Sequence, residues 1–236
     1  MNPLGATVLI TGANRGIGSA LVDAFLEAGA ARVYAASRSP SVVPKDPRVI
    51  PLGLDVTDPE KVRYAATVAP DAQVLVNNAG IALLQPLLGT EDPAAVEREM
   101  SVNFFGTLAM CRAFAPILGR NGGGAIVNVL SILSRVAMPR LGSYSASKAA
   151  AYSLTQSLRA ELAGQGTLVM GVMPGFVDTD MTKAVTTSKI SPQAVAAAVI
   201  AALPTGAEDV YPGPAADIAA RLLQDPKSVE RALASR

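Results

Sequence analysis

Short runs of apolar and β-branched residues alternate along the chain with longer segments in which apolar residues recur at helical spacing. That alternation argues for a parallel sheet covered by helices on both faces, because each run is too short to be a helix and each intervening segment has the wrong period for a strand. The runs predict seven strands near residues 6–11, 31–36, 48–54, 73–77, 124–130, 167–173 and 208–211. Helices are predicted over 16–28, 59–68, 93–119, 142–164 and 191–202, with a helical tail from about 214. Seven strands make a large, doubly wound, mostly parallel sheet.

Several boundaries carry physical punctuation. Asp58-Pro59 and Ser191-Pro192 each set a capping side chain before a proline whose missing N–H costs nothing in a first helical turn. Gly29 and Gly164 are placed to end helices in the left-handed conformation, and Asn121-Gly122-Gly123-Gly124 reads as a loop. The proline-rich patch from Pro40 to Pro51 is too short for an interdomain linker, so residues 1–236 are expected to form one domain. Half of the residues are apolar and 17% are charged, enough for a sizeable core and against disorder.

The charge balance of 20 Lys+Arg against 19 Asp+Glu gives no electrostatic reason to expect nucleic acid or an anionic membrane as partner. The chain has no histidine, which excludes Ser-His-Asp and Cys-His catalysis and every His-ligated metal site. Its single cysteine, Cys111, closes no intramolecular disulfide and forms no thiolate cluster, so no metal is expected and a reducing compartment is. Residues 1–5 run into the first strand without a basic segment or a longer apolar one, and Ala194–Leu203 is about half of what a bilayer crossing requires; a cytoplasmic location is expected.

Directly after the first strand comes Thr11-Gly12-Ala13-Asn14-Arg15-Gly16-Ile17-Gly18, then an apolar helix. Glycines there permit a tight strand-to-helix turn and close backbone approach, while a helix N-terminus offers unpaired N–H groups to phosphate oxygens. The outline is that of a dinucleotide pocket, with a spacing other than the commoner Gly-x-Gly-x-x-Gly, and a packing turn explains it almost as well. The second strand ends at Ser37-Arg38, where an NAD-preferring site usually carries an acid. Ser37, Arg38 and Arg15 instead suit a 2′-phosphate, which favours NADP(H) over NAD(H); the competing explanation is two ordinary surface arginines.

The third strand ends in Asp55-Val56 and the fourth in Asn77-Asn78-Ala79-Gly80. In open α/β sheets ligands collect outside the carboxyl ends of strands, so Asp55 is a candidate for an adenine amino group, or equally for a turn before Thr57-Asp58-Pro59. Ser131 stands at the end of the fifth strand. Thirteen residues on, Tyr144 precedes Lys148 by four positions, one helical turn, so both side chains reach the same space. An ammonium beside a phenol favours the phenolate, which is expected to lower the pKa of Tyr144. Alone the pair is a weak motif; Asn103, a polar residue among apolar neighbours of the long helix, adds to it.

Together these motifs, over residues 5–180, resemble the classical short-chain dehydrogenases/reductases, single-domain Rossmann oxidoreductases, in order and spacing. The resemblance implies a catalytic tetrad of Asn103, Ser131, Tyr144 and Lys148. It also implies cofactor contacts from Gly12, Asn14, Arg15, Gly16, Ile17, Gly18, Ser37, Arg38, Asp55, Val56, Asn78, Ala79, Gly80, Tyr144 and Lys148, and, after the sixth strand, from Pro174, Gly175, Val177 and Thr179. Tyr144 would protonate a carbonyl oxygen as hydride arrives from the nicotinamide, with Ser131 hydrogen-bonding that oxygen. Lys148 would bind the nicotinamide ribose, and Asn103 would hold a water in a proton relay. The reaction implied is reduction of a neutral apolar ketone or aldehyde, or the reverse. The alternatives are a catalytically silent NADP(H) sensor or scaffold and, further off, a lyase or dehalogenase on the same scaffold.

By position the substrate pocket draws on Ile81, Leu133, Met138, Leu141, Phe176, Val177 and Met181, with core packing the competing use, while Arg135 and Arg140 read as solvated loop charges. The long helices resemble those that pair subunits, so a homodimer or homotetramer is expected, with Leu108, Phe114 and Leu158 facing either a partner or the sheet. The C-terminal reading Glu208–Pro214 departs from the family's Gly-Gly turn, which puts tetramer contacts through the last strand in doubt.

Overall fold

The computed structural model describes residues 1–40 and 46–234; part of the proline-rich patch (41–45) and the last two residues of the tail lie outside the described residues. The strands are β1 (Thr7–Thr11), β2 (Arg32–Ser37), β3 (Val49–Gly53), β4 (Val74–Asn77), β5 (Ala125–Val129), β6 (Leu168–Val172) and β7 (Asp209–Val210). They form one seven-stranded sheet in the order β3-β2-β1-β4-β5-β6-β7, and every pairing is parallel. The strand order therefore reverses between β1 and β4, and that switch point opens a crevice at the carboxyl edge of the sheet.

Period-two alternation explains why both faces are covered. Val8, Ile10, Val74, Val76 and Val127 point to one face, where they pack with Leu21 and Phe25 of α1 (Gly16–Glu27) and Val195 and Val199 of α6 (Pro192–Ala202). Leu9, Leu75 and Ile126 point to the other, against Val62 of α2 (Pro59–Val68), Phe114 of α4 (Thr107–Arg120) and Leu158 of α5 (Gly142–Leu162). Phe114 and Leu158 thus serve the sheet rather than an outer face.

The punctuation is as read, with one correction. Asp58 accepts from the Glu60 and Lys61 N–H groups, and Ser191 accepts from that of Ala194. Gly29 is left-handed at φ 84°, but Gly164 is not: a 3₁₀ turn, Ala163–Gln165, tightens the end of α5 and moves the left-handed stop to Gly166, at φ 72°. The predicted helix over 93–119 is three pieces, α3 (Ala95–Met100), a π-helical turn (Ser101–Gly106) and α4. Ala95–Arg120 is long and apolar enough to cross a membrane by length and composition, and here its Met110, Phe114, Ile117 and Leu118 pack on the sheet. The tail forms α7 (Ala215–Gln224) and α8 (Pro226–Ala234), which fold back over the 3₁₀ turn Ile132–Ser134.

Candidate active site

The glycine turn works through close contact. A Cβ at Gly18 would stand 2.1 Å from the Gly12 carbonyl oxygen, so α1 approaches β1 as only glycine allows. Thr11 and Asn78 lock the turn to the end of β4: the Thr11 hydroxyl accepts from the Asn78 and Ala79 N–H groups, and Asn78 Nδ2 donates to the Thr11 and Gly12 carbonyls. Among the described residues no side chain caps α1, whose first turn carries no acid, so its N-terminal N–H groups are open to an anion. Asn14 is exposed and Ile17 partly buried at this rim.

The two arginines expected at one corner have different partners. Arg15 pairs with Asp180 at 3.0 Å, drawing the segment after β6 over the turn, with Thr179 close above Gly16. Arg38 alone faces Asp55, whose carboxyl is held below its usual range mainly by hydrogen bonds from the Thr57 hydroxyl and N–H, with the Arg38 charge assisting. Asp55 therefore already has a turn to hold, as the competing reading allowed. Ser37 is buried beside Arg38, and the Val56 side chain packs into the core against Gly106 rather than toward the cleft.

Two of the catalytic candidates, Asn103 and Lys148, meet at Gly80. A Cβ there would lie 3.1 Å from Asn103 Oδ1 and 3.4 Å from Lys148 Nζ, so the absent side chain leaves a cradle between them. Lys148, 5% exposed, donates from Nζ to the Val129 carbonyl at 2.9 Å and has no carboxylate partner among the described residues. Its remaining N–H groups are free for hydroxyls of a ligand. Asn103 sits in the π-helical turn, a distortion frequent at functional sites; its Oδ1 accepts from Ile81 N, and its Nδ2 donates to the Ile81 carbonyl and Ser147 Oγ. Ser131 caps the turn Ile132–Ser134, which the Pro174 carbonyl ties to the end of β6 through Ile132 N.

Burial dominates the electrostatics. It pushes the Tyr144 phenol up to about 12, with a hydrogen bond from Ser131 opposing the rise and the charge of Glu99 adding to it. It pulls the Lys148 ammonium down to about 8. The expectation that Lys148 acidifies Tyr144 is thus corrected. The ammonium lies 5.8 Å from the ring centroid and spends its hydrogen bond on Val129, while the dry surroundings disfavour the charged form of both groups.

The pocket candidates divide. Leu133, Met138, Leu141, Tyr144 and Phe176 share one apolar cluster with Ala215, Ile218, Leu222, Val229 and Leu233, so the tail forms the back of the wall beside the phenol. Val177 packs instead into the core under α6, Met181 is 42% exposed, and Ile81 is held through its backbone by Asn103. Pro174 is buried and Gly175 partly so. Arg135 is no solvated loop charge: it donates to the Tyr211 hydroxyl and lies 5.3 Å from the Tyr152 ring, tying the Ser131 turn to the chain after β7. Arg140 is exposed, as read. Sequence reasoning passed over Ser147, Thr11 as a hydrogen-bonding hub, and Glu99, a fully buried acid four residues before Asn103. The signal for Glu99 was its place on the face that Asn103 occupies, where a charge has no reason to be without a partner.

Residues 6–190 match the family model for short chain dehydrogenases. A dehydrogenase/reductase SDR family protein 7-like of Anopheles gambiae is 32% identical over 93% of this chain and 78% of its own length. A carbonyl reductase [NADPH] 2 of Sus scrofa is 36% identical over 79% of this chain and 78% of its own. Among solved structures, a short chain dehydrogenase from Burkholderia cenocepacia in complex with NADP is 47% identical, with a TM-score of 0.95 over 99% of both chains.

Proposed function

This chain belongs to the short-chain dehydrogenase/reductase family of oxidoreductases, and from that premise we propose that it is an NADP(H)-dependent carbonyl reductase/alcohol dehydrogenase acting on a neutral apolar ketone or aldehyde. The observation that carries the reading is one linked cluster: Asn103 and Lys148 meet at Gly80, the Lys148 ammonium lies 5.8 Å from the Tyr144 ring, and Ser131 hydrogen-bonds the Tyr144 phenol. A dinucleotide suits the residues present. The uncapped start of α1 would take its phosphates, Lys148 its nicotinamide ribose, and Ser37 with Arg38 a 2′-phosphate. The NADP complex of the Burkholderia relative supports that choice. Once bound, the nicotinamide supplies the hydride.

The chain's own groups handle the proton. With its phenol at about 12, Tyr144 carries its proton at neutral pH and can give it to the carbonyl oxygen as charge develops there. Ser131, buried beside it, donates a hydrogen bond to the same oxygen. Lys148 is still largely protonated at neutral pH, so its N–H groups can hold the ribose hydroxyls beside the phenol. The apolar wall shared by Leu133, Met138, Phe176 and the tail excludes water and favours an uncharged substrate.

A panel of ketones, aldehydes and alcohols followed at the NADPH absorbance band tests the reading. Oxidation of NADPH by at least one apolar carbonyl supports it, and bound NADPH without turnover across the panel would replace it with a sensor or scaffold. We further propose a cytoplasmic protein, in keeping with its lone, buried thiol, and a homo-oligomer whose size light scattering measures.

A further inference from the structure

Glu99 is the one acid of this site that the proton transfer above does not use. It is 0% exposed on α3, and among the described residues no lysine or arginine pairs with it. Its Oε1 accepts from the Leu83 N–H at 2.6 Å, and its Oε2 is buried with no partner. Burying a carboxylate on such terms is costly, so the position calls for a reason beyond packing.

The reason lies in what it holds. One turn on, Asn103 grips both backbone groups of Ile81, so consecutive turns of one helix fasten residues 81 and 83 of the segment that follows β4. The next residue, Leu84, is at φ 57°, a left-handed conformation that a bulky side chain adopts only when its surroundings enforce it. Then the Gln85 carbonyl accepts from the N–H and the hydroxyl of Ser143, the neighbour of Tyr144 at the start of α5. We propose that Glu99 is a positioning residue, whose buried carboxylate pins the 81–85 segment in its strained path between Gly80 and Ser143 and so sets the placement of Tyr144 against the carbonyl.

The inference rests on the reductase reading, and its test separates the two. Glu99→Gln keeps an acceptor for Leu83, whereas Glu99→Leu keeps the bulk and loses it. Losing a hydrogen bond to a charged acceptor is expected to cut kcat of Glu99→Leu by at least about tenfold, with NADPH affinity within about twofold of wild type and Glu99→Gln restored to within about threefold. Hydrogen exchange at the Leu83 amide gives a readout without turnover. It should speed up in Glu99→Leu and stay near wild type in Glu99→Gln. Wild-type kcat or wild-type exchange in Glu99→Leu overturns the role. If the wild-type protein reduces no carbonyl, the reductase reading falls and exchange alone decides for or against the pinning. Should Glu99→Leu not fold, Leu83→Pro removes the donor from the other side and is held to the same outcomes.

Discussion

The two ends of the crevice treat charge in opposite ways. At the glycine turn, Arg15 and Asp180 meet with side chains 70% and 72% exposed, and Asp55 is satisfied by its own loop. At the Tyr144 end, Asn103, Ser131, Lys148 and Glu99 are all under a tenth exposed; Asn103, Lys148 and Glu99 bond to neighbouring elements, and Ser131 caps the turn that follows it. Water competes with the charges at the first end far more than with those at the second. The same change of charge is therefore small in affinity at one end and large in rate at the other.

The sharpest break of this contrast is Tyr144→Phe. It removes one oxygen from the dry end and nothing from the wet one, so reduction should fall by at least about a hundredfold, on the scale of a general acid. NADPH binding, followed by its fluorescence, should be unchanged. Turnover retained in the variant would take the phenol out of the mechanism.

Next in size is the pH dependence of kcat/KM for reduction, which reports the free protein. Tyr144 stays protonated up to about 12, so the acid itself imposes no limb below that value. Lys148 has its value depressed to about 8: its charge is present below that pH and lost above it. Each further pH unit cuts the ammonium fraction by about tenfold, so the profile should be level from pH 6 to 7.5 and fall beyond 8. A profile flat through pH 10 would mean that the lysine charge plays no part in the rate.

The same contrast explains what could be read in advance. The sheet was legible because alternation and helical period report burial directly: Val8, Leu9 and Ile10 take the faces that a parallel strand assigns them. The tetrad was legible because its spacing fixes a helical face and a strand end. What spacing cannot carry is the balance between burial and charge. The sequence puts an amine one turn from a phenol, and only the fold reveals that Lys148 turns to the Val129 carbonyl while both groups lose their solvent. Nor could periodicity distinguish the π-helical turn at Asn103 from the α-helix on either side, since one extra residue in a turn leaves the apolar pattern nearly intact. The pairing of Arg15 was not legible for a different reason: its partner, Asp180, is 165 residues away and arrives only with the segment after β6.

At the wet end the first sharpening is Arg38→Asp. Reversing the charge that faces Asp55 places two acids where a 2′-phosphate would sit, so NADPH should weaken by about tenfold more than NADH. Equal weakening of both would withdraw the argument for the 2′-phosphate.

The smallest effect belongs to the ion pair itself. Asp180→Asn leaves the segment after β6 in place, where Thr179 and Thr182 cap each other, and removes only the charge that occupies Arg15. An exposed pair contributes little to stability, so melting should not move measurably. What changes is the availability of Arg15. With its partner neutral, the guanidinium is free to turn to a phosphate on the adjacent glycine turn, and NADPH should bind tighter, by up to about threefold, with a steeper dependence on salt. Weaker binding would give Asp180 the opposite part, that of a latch holding the segment over the bound nucleotide, and the wet end would then depend on its charges as the dry end does.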